Sequence, residues 1–202
     1  MKYIIMCGAR DNSRHLINVK GEVLVARTIR QLKSAGVTDI AISTTSSTFR
    51  KFGVPLLVHD NRYAYGISGY WVDAFYPVDE PVCYIFGDVV FTDEAIKKIV
   101  ETETSGIEFF ASAPPFAEEY PKRWAEPFAF KVVDYEYFQQ CVEKTKRLRD
   151  EGMFMREPIA WELWQVIKGT TLNNIIYKNY IAINDSTCDV DCPSEVEQWQ
   201  DI

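Results

Sequence analysis

Histidine is scarce in this chain, with His15 and His59 the two copies among 202 residues. Neither joins Cys188 and Cys192, four residues apart, in a zinc pattern. The five cysteines are an odd number, and Cys7 and Cys83 fall inside apolar runs. No disulfide framework is expected, only reduced thiols in a cytoplasmic protein. Long hydrophobic runs are missing too. The first, Tyr3–Cys7, is cut short by Gly8, Arg10 and Asp11, which makes it too short for a signal peptide or a membrane span. Cations are in the minority, and the net charge of −7 argues against a non-specific nucleic-acid binder, which needs a basic face. No repeat or low-complexity tract interrupts the sequence.

What is present suits a soluble globular protein: 47% of residues are hydrophobic and 25% charged, over a length that supports one domain with a full core. The stretch Val82–Phe86 is apolar, rich in strand formers and free of breakers, as befits a central strand buried on both faces of a parallel sheet. Tyr3–Cys7, Asp39–Ser43, Pro55–Val58, Phe109–Ala113, Phe128–Val133 and Ile181–Ile183 read as further strands. Between them, Val25, Ile29 and Leu32 mark an amphipathic helix closed by Ala35-Gly36, and Ile96, Ile99 and Val100 mark another opened by Thr92. Helices are also predicted near Tyr70–Tyr76, over Tyr135–Arg149, over Ile159–Ile167 with Pro158 as a first helical residue, and from Pro193. This rhythm predicts a single α/β domain built on a mixed, mostly parallel sheet with helices on both faces.

Two constellations carry chemistry. In the first, Gly8 allows a tight turn after strand one, and Arg10, Arg14 and Lys20 bring positive charge near it, as a triphosphate requires. Solvated arginines are the other reading. The second joins Asp88, in the turn after the pivotal strand, to Asp189 and Asp191, which alternate along a strand and so share a face. Asp88 lies where open α/β sheets bind ligands, and magnesium is commonly held by one or two carboxylates together with phosphate oxygens and water. Alternatively, Asp88 bonds backbone within its turn and Asp191 caps the helix after Pro193.

Taken in order, these segments resemble the GT-A-type nucleotidyltransferase-like family. Cys7-Gly8-Ala9-Arg10, with the run Arg14–Ile29, stands where members carry a Gly-rich loop with Arg and Lys leading into a helix. Gly66-Ile67-Ser68-Gly69 is similar to the family's loop beside the nucleotide, Gly87-Asp88-Val89 to its metal-binding turn, and Asp189–Pro193 to its late Asp-Ile-Asp-Thr-Pro element. Two departures stand out: the loop from Gly8 to Arg14 is short and lacks a second glycine, and Arg14 takes the place of a lysine.

The resemblance implies a Mg2+-dependent enzyme that couples a nucleoside triphosphate to a small phosphorylated acceptor, a sugar phosphate or related alcohol phosphate. Pyrophosphate would be released, and a sugar nucleotide for polysaccharide biosynthesis would be one product class. It assigns catalysis to Arg14, Asp88 and Asp191, metal binding to Asp88 and Asp191 with Asp189 in support, and nucleotide binding to Gly8, Ala9, Arg10, Gly66, Ser68 and Gly69. Residues 1–104 would then form the nucleotide-binding part, 105–181 the acceptor-facing part and 182–202 a closing metal-site strand and helix. Glu126, Trp161 and Glu162 are acceptor candidates, and Tyr120, Trp124 and Trp164 offer either an aromatic pocket or ordinary core. Pairing into a homodimer is left open. A GT-A glycosyltransferase using a nucleotide sugar is the alternative, against which a lone Asp88 followed by Val89-Val90 argues; a non-catalytic nucleotide binder is the third.

Overall fold

Val82–Phe86 forms the expected strand, with all five residues buried. It is the inner strand of a seven-stranded sheet in the computed structural model, which describes residues 1–8, 12–64, 66, 68–119, 124–191 and 196. The elements run β1 (Lys2–Cys7), β2 (Asn18–Val19), β3 (Glu22–Val23), α1 (Leu24–Ser34), β4 (Ile40–Thr44), β5 (Leu56–Val58), β6 (Val82–Phe86), β7 (Val89–Val90) and α2 (Asp93–Glu101). They continue with β8 (Ile107–Ser112), β9 (Glu126–Val132), α3 (Tyr135–Asp150), α4 (Ala160–Lys168), β10 (Ile181–Ala182) and β11 (Cys188–Asp189). The main sheet has the order β10-β8-β9-β6-β1-β4-β5. Strand β9 runs antiparallel to β8 and β6, and the remaining neighbours pair parallel.

The order places a reversal at β1: the chain winds outward to β4 and β5, then returns to the other side of β1 as β6. A crevice opens at such a switch point, outside the carboxyl ends of the two strands.

Side-chain alternation along β6 divides the core between two faces. Tyr84 and Phe86 pack toward Phe75, Trp71 and Phe138 of α3. Cys83 pairs across the sheet with Lys131, whose ammonium reaches the carbonyl end of α2. Helices α1 and α2 therefore cover one face, while α3 and α4 cover the other, where Phe109 and Phe130 meet Trp161 and Trp164. The expected fold class is borne out.

Two expected helices differ. The segment near Tyr70–Tyr76 is a single 3-10 turn, Trp71–Ala74, because Pro77 biases Tyr76 away from helical backbone. Helix α4 starts at Ala160 with Ile159 as its extended N-cap, so Pro158 precedes the helix instead of opening it. The helix expected from Pro193 lies outside the described residues, apart from Val196. Among the described residues, no helix is long and apolar enough to cross a membrane, and Cys7, Cys83, Cys141 and Cys188 are buried.

Candidate functional site

Gly87 ends β6 pressed against β1. Its amide donates to the Met6 carbonyl at 3.0 Å, and a Cβ added there would lie 2.4 Å from that oxygen and 2.7 Å from Cys7 Sγ. Only glycine allows this approach, and it sets Asp88 at the switch point.

The late carboxylates arrive by a separate route. Strand β11 pairs antiparallel with β7, Asp189 opposite Val89, and the Val190 amide donates to the Asp88 carbonyl at 2.8 Å. Val190 is fully buried between the exposed Asp189 and Asp191, the alternation expected of a strand. Below lies a small apolar cluster of Ile17, Val19, Leu24, Val90, Cys188 and Val190, which fastens the segment after β1 to β7 and β11. The same segment begins with a 3-10 turn, Asn12–Leu16, that carries Arg14. Upstream of β11, Thr92 caps α2 by accepting from the Ala95 amide, and its hydroxyl donates to Asp185 at 2.6 Å, tying the late segment to that helix.

These supports converge on one contact. Arg14 Nη1 lies 3.1 Å from Asp88 Oδ2 and 2.9 Å from Asp191 Oδ1. Partial burial works against the guanidinium charge, but Asp88, Asp191 and Asp189 outweigh it and raise the Arg14 pKa above its ordinary value. Arg14, Asp88 and Asp191 are thus brought together, with Asp189 in electrostatic range.

Arg14 also borders a cleft of about 780 Å3, within the size range of small-molecule sites. Gly8, Gly66, Ser68 and Gly69 line it, as do Asn61, Tyr63 and Trp71. Gly69 is needed for packing, since a Cβ there would stand 2.7 Å from the Tyr63 amide. Among the described residues, the charged ones that line it are Arg14 and Arg149. Glu157 orients the second: its carboxylate accepts from Arg149 Nε at 2.9 Å and from the Trp71 amide at 3.1 Å. The guanidinium rests over the Tyr70 ring, and Trp71 stacks on Phe86, the residue before Gly87.

Arg149, Trp71, Asn61 and His59 escape the sequence reading. The last two follow β5 directly, at the sheet edge where ligands bind, and that position was their one available signal. Asn61 is 2% exposed; its Oδ1 accepts from the Ala64 amide, which turns its NH2 group away from that bond. His59 packs edge-on to Tyr76, 3.5 Å from where a Gly8 side chain would begin. His59 Nε2 is buried without a hydrogen-bond partner among the described residues, and burial lowers the pKa of the ring.

The acceptor candidates are dispersed. Glu126 opens β9, buried and opposite Ser112, at the same sheet edge as Asp88 but not in the cleft lining. Trp161 is core, packed against Phe109, Tyr177 and Tyr180. Glu162 is a structural cap: its carboxylate accepts from the Ile159 amide at 3.1 Å and from Arg156 Nε at 2.6 Å. Trp164 is buried, and Trp124 is exposed. Ala9, Arg10 and Tyr120 lie outside the described residues.

The donor chemistry fits magnesium. Asp88 and Asp191 offer hard carboxylate oxygens, and Arg14, which contacts both, borders the cleft. Among the described residues no group of three or more His, Cys, Asp or Glu converges as a self-sufficient metal site.

No protein-family model matches this chain, and no curated protein matches it. Solved structures do. A structure named for glucose-1-phosphate thymidylyltransferase from Bacillus anthracis aligns over 98% of this chain and 93% of its own, with TM-score 0.59 and 17% identity. The 4-diphosphocytidyl-2C-methyl-D-erythritol synthase of Anaerococcus prevotii aligns over 98% and 94%, with TM-score 0.58 and 11% identity. The 2-C-methyl-D-erythritol 4-phosphate cytidylyltransferase of Thermus thermophilus covers 98% and 96%, with TM-score 0.58 and 10% identity. At such identities the likeness establishes the fold, which is the one the motifs anticipated.

Proposed function

We propose that this chain is a nucleotidyltransferase that joins a nucleoside triphosphate to a small phosphorylated acceptor, a sugar phosphate or related alcohol phosphate, and releases pyrophosphate. The observation that carries this is Arg14 Nη1 held between Asp88 and Asp191, at a switch-point cleft whose charged lining among the described residues is Arg14 and Arg149. Further support comes from three structures of the same fold named for thymidylyl or cytidylyl transfer.

An acceptor phosphate oxygen attacks the α-phosphorus, the new P–O bond forms, and the bond from that phosphorus to the bridging oxygen breaks. The electron pair leaves with pyrophosphate. A phosphate oxygen is a competent nucleophile at neutral pH, so no side chain has to remove a proton, and catalysis rests on alignment and charge neutralisation. Gly8 and Arg14 face the triphosphate, and Ala9 and Arg10, next to Gly8 in sequence, are assigned to it on the resemblance alone. Asn61 and the loop from Tyr63 to Gly69 flank the base and ribose. Arg149, oriented by Glu157, receives the acceptor phosphate. Asp88 and Asp191 would hold Mg2+, with Asp189 supporting them; the ion, when bound, neutralises phosphate charge. On this scheme residues 1–104 bind the nucleotide, 105–181 face the acceptor and 182–202 close the metal site, in a cytoplasmic enzyme.

A glycosyltransferase on this fold is disfavoured because Val90 is buried in β7 and offers no second carboxylate after Asp88. The test is pyrophosphate release from each of CTP, UTP, GTP and ATP, across a panel of sugar and alcohol phosphates with magnesium. One pairing should turn over, and Asp88→Asn should abolish that turnover while keeping the thermal midpoint. Wild-type rates in Asp88→Asn would overturn the assignment.

A further inference from the structure

Arg14 meets both candidate metal ligands through a single nitrogen. Nη1 donates to Asp88 Oδ2 and pairs with Asp191 Oδ1, carboxylates delivered by different strands, while Asp189 adds its field. The Arg14 guanidinium therefore stands between the oxygens that a divalent ion would need. Charge-assisted bonds of this kind are among the stronger ones in proteins, and an incoming ion would have to displace them.

The same side chain borders the cleft, so a triphosphate there offers the guanidinium a second set of anionic oxygens within reach of its flexible stem. A triphosphate also supplies what the two carboxylates lack, since magnesium takes six oxygens in a near-octahedral shell.

We propose that Arg14 is a built-in placeholder for the metal: its guanidinium and a divalent cation occupy the Asp88–Asp191 position in turn. This rests on the metal assignment made under Proposed function and adds an order of events to it. Without nucleotide, Arg14 neutralises the carboxylates and free metal binds weakly. When metal and triphosphate arrive together, Arg14 moves onto the phosphates and the ion takes its place. Metal and nucleotide thus bind with positive coupling, and by linkage each raises the affinity for the other.

The experiment titrates Mn2+ alone into nucleotide-free protein and follows the loss of the free-ion electron paramagnetic resonance signal. Wild type, Arg14→Ala, Arg14→Lys and the double variant Arg14→Ala/Asp88→Asn are compared, each checked for folding by its thermal midpoint in EDTA. Arg14→Ala should bind Mn2+ about tenfold tighter than wild type or better. Arg14→Lys, which keeps the charge as a compact ammonium on a stem of different reach, should fall between them. Adding Asp88→Asn should erase the gain. Equal Mn2+ affinity in wild type and Arg14→Ala overturns the placeholder, whether that affinity is high or low. In that event, a magnesium-dependent thermal shift of wild type with any of the four triphosphates leaves the proposed function standing, and no such shift removes both.

Discussion

Substituting alanine for Gly87 tests how the fold aims its site. The added Cβ would sit 2.4 Å from Met6 O and 2.7 Å from Cys7 Sγ, whereas ordinary contact begins near 3.4 Å. The ends of β1 and β6 must therefore part by about 1 Å, and the 3.0 Å bond from the Gly87 amide to Met6 O stretches or breaks. Overpacking of this kind costs about 1–3 kcal/mol and a lost backbone bond about 1 kcal/mol, so a total near 2–4 kcal/mol is expected. That is a sizeable share of the roughly 5–15 kcal/mol that holds a typical domain together. Asp88, next in the chain, moves with the strand end, and its 3.1 Å contact with Arg14 does not survive a shift of that size. Misplacement by about 1 Å costs catalysis on the order of a hundredfold. Urea denaturation followed by tryptophan fluorescence reads the first effect, as a lower midpoint at unchanged slope. Pyrophosphate release reads the second. A Gly87→Ala protein that unfolds at the wild-type urea midpoint would refute the claim that close strand approach places the carboxylate.

Three further expectations follow from individual side chains. Lys131 is buried, and its ammonium donates to the carbonyls of Ile99, Val100 and Thr102 at 3.0, 2.8 and 2.6 Å, closing the end of α2. Lys131→Met should cost about 2–3 kcal/mol in urea unfolding, because three carbonyls lose a charged donor; an unchanged midpoint would remove that role. Burial holds the His59 pKa below its ordinary 6.5, so the unfolded chain takes up the proton first, and stability carried by the neutral ring is lost as pH falls through 6.5. Wild type should lose more stability than His59→Gln between about pH 7 and about pH 5.5, and parallel losses would show that His59 stays neutral at no cost. Arg149→Gln should raise the KM for the acceptor phosphate about tenfold while leaving the triphosphate-induced thermal shift intact, and an unchanged KM would detach Arg149 from the acceptor.

The fold was legible because its strands are short apolar runs cut by Gly, Pro and Asp, and because α1 and α2 carry clean helical stripes. Val82–Phe86 and Tyr3–Cys7 needed nothing beyond composition. Asp88 and Asp191 were legible from their places after strands. Their joining into one clamp was expected as well, but the route to it was not legible, because β7 pairs with β11 across about a hundred residues, through stretches two residues long that carry no periodicity. Arg14 was recognised as a cation near a turn, yet its bridge between two carboxylates is a tertiary fact. Trp161 and Glu162 were offered as acceptor candidates from the family resemblance, and the helix that contains them uses one for packing and the other as a cap, which adjacency in sequence does not reveal. Arg149 went unread among several cations at the end of α3, where the helix dipole explains most of them, and only Glu157 and the cleft set it apart.

The most direct measurement is the thermal midpoint of the protein with each of CTP, UTP, GTP and ATP, with and without magnesium. A ligand that binds the native state adds about 2.7 kcal/mol at a hundredfold excess over Kd, which for a chain of this length is about 5–10 °C. One triphosphate should produce that rise in a magnesium-dependent manner, and Asp88→Asn should abolish the magnesium dependence. If no triphosphate moves the midpoint and a nucleoside diphosphate sugar does, the cleft belongs to a glycosyltransferase and the nucleotidyltransferase assignment is wrong.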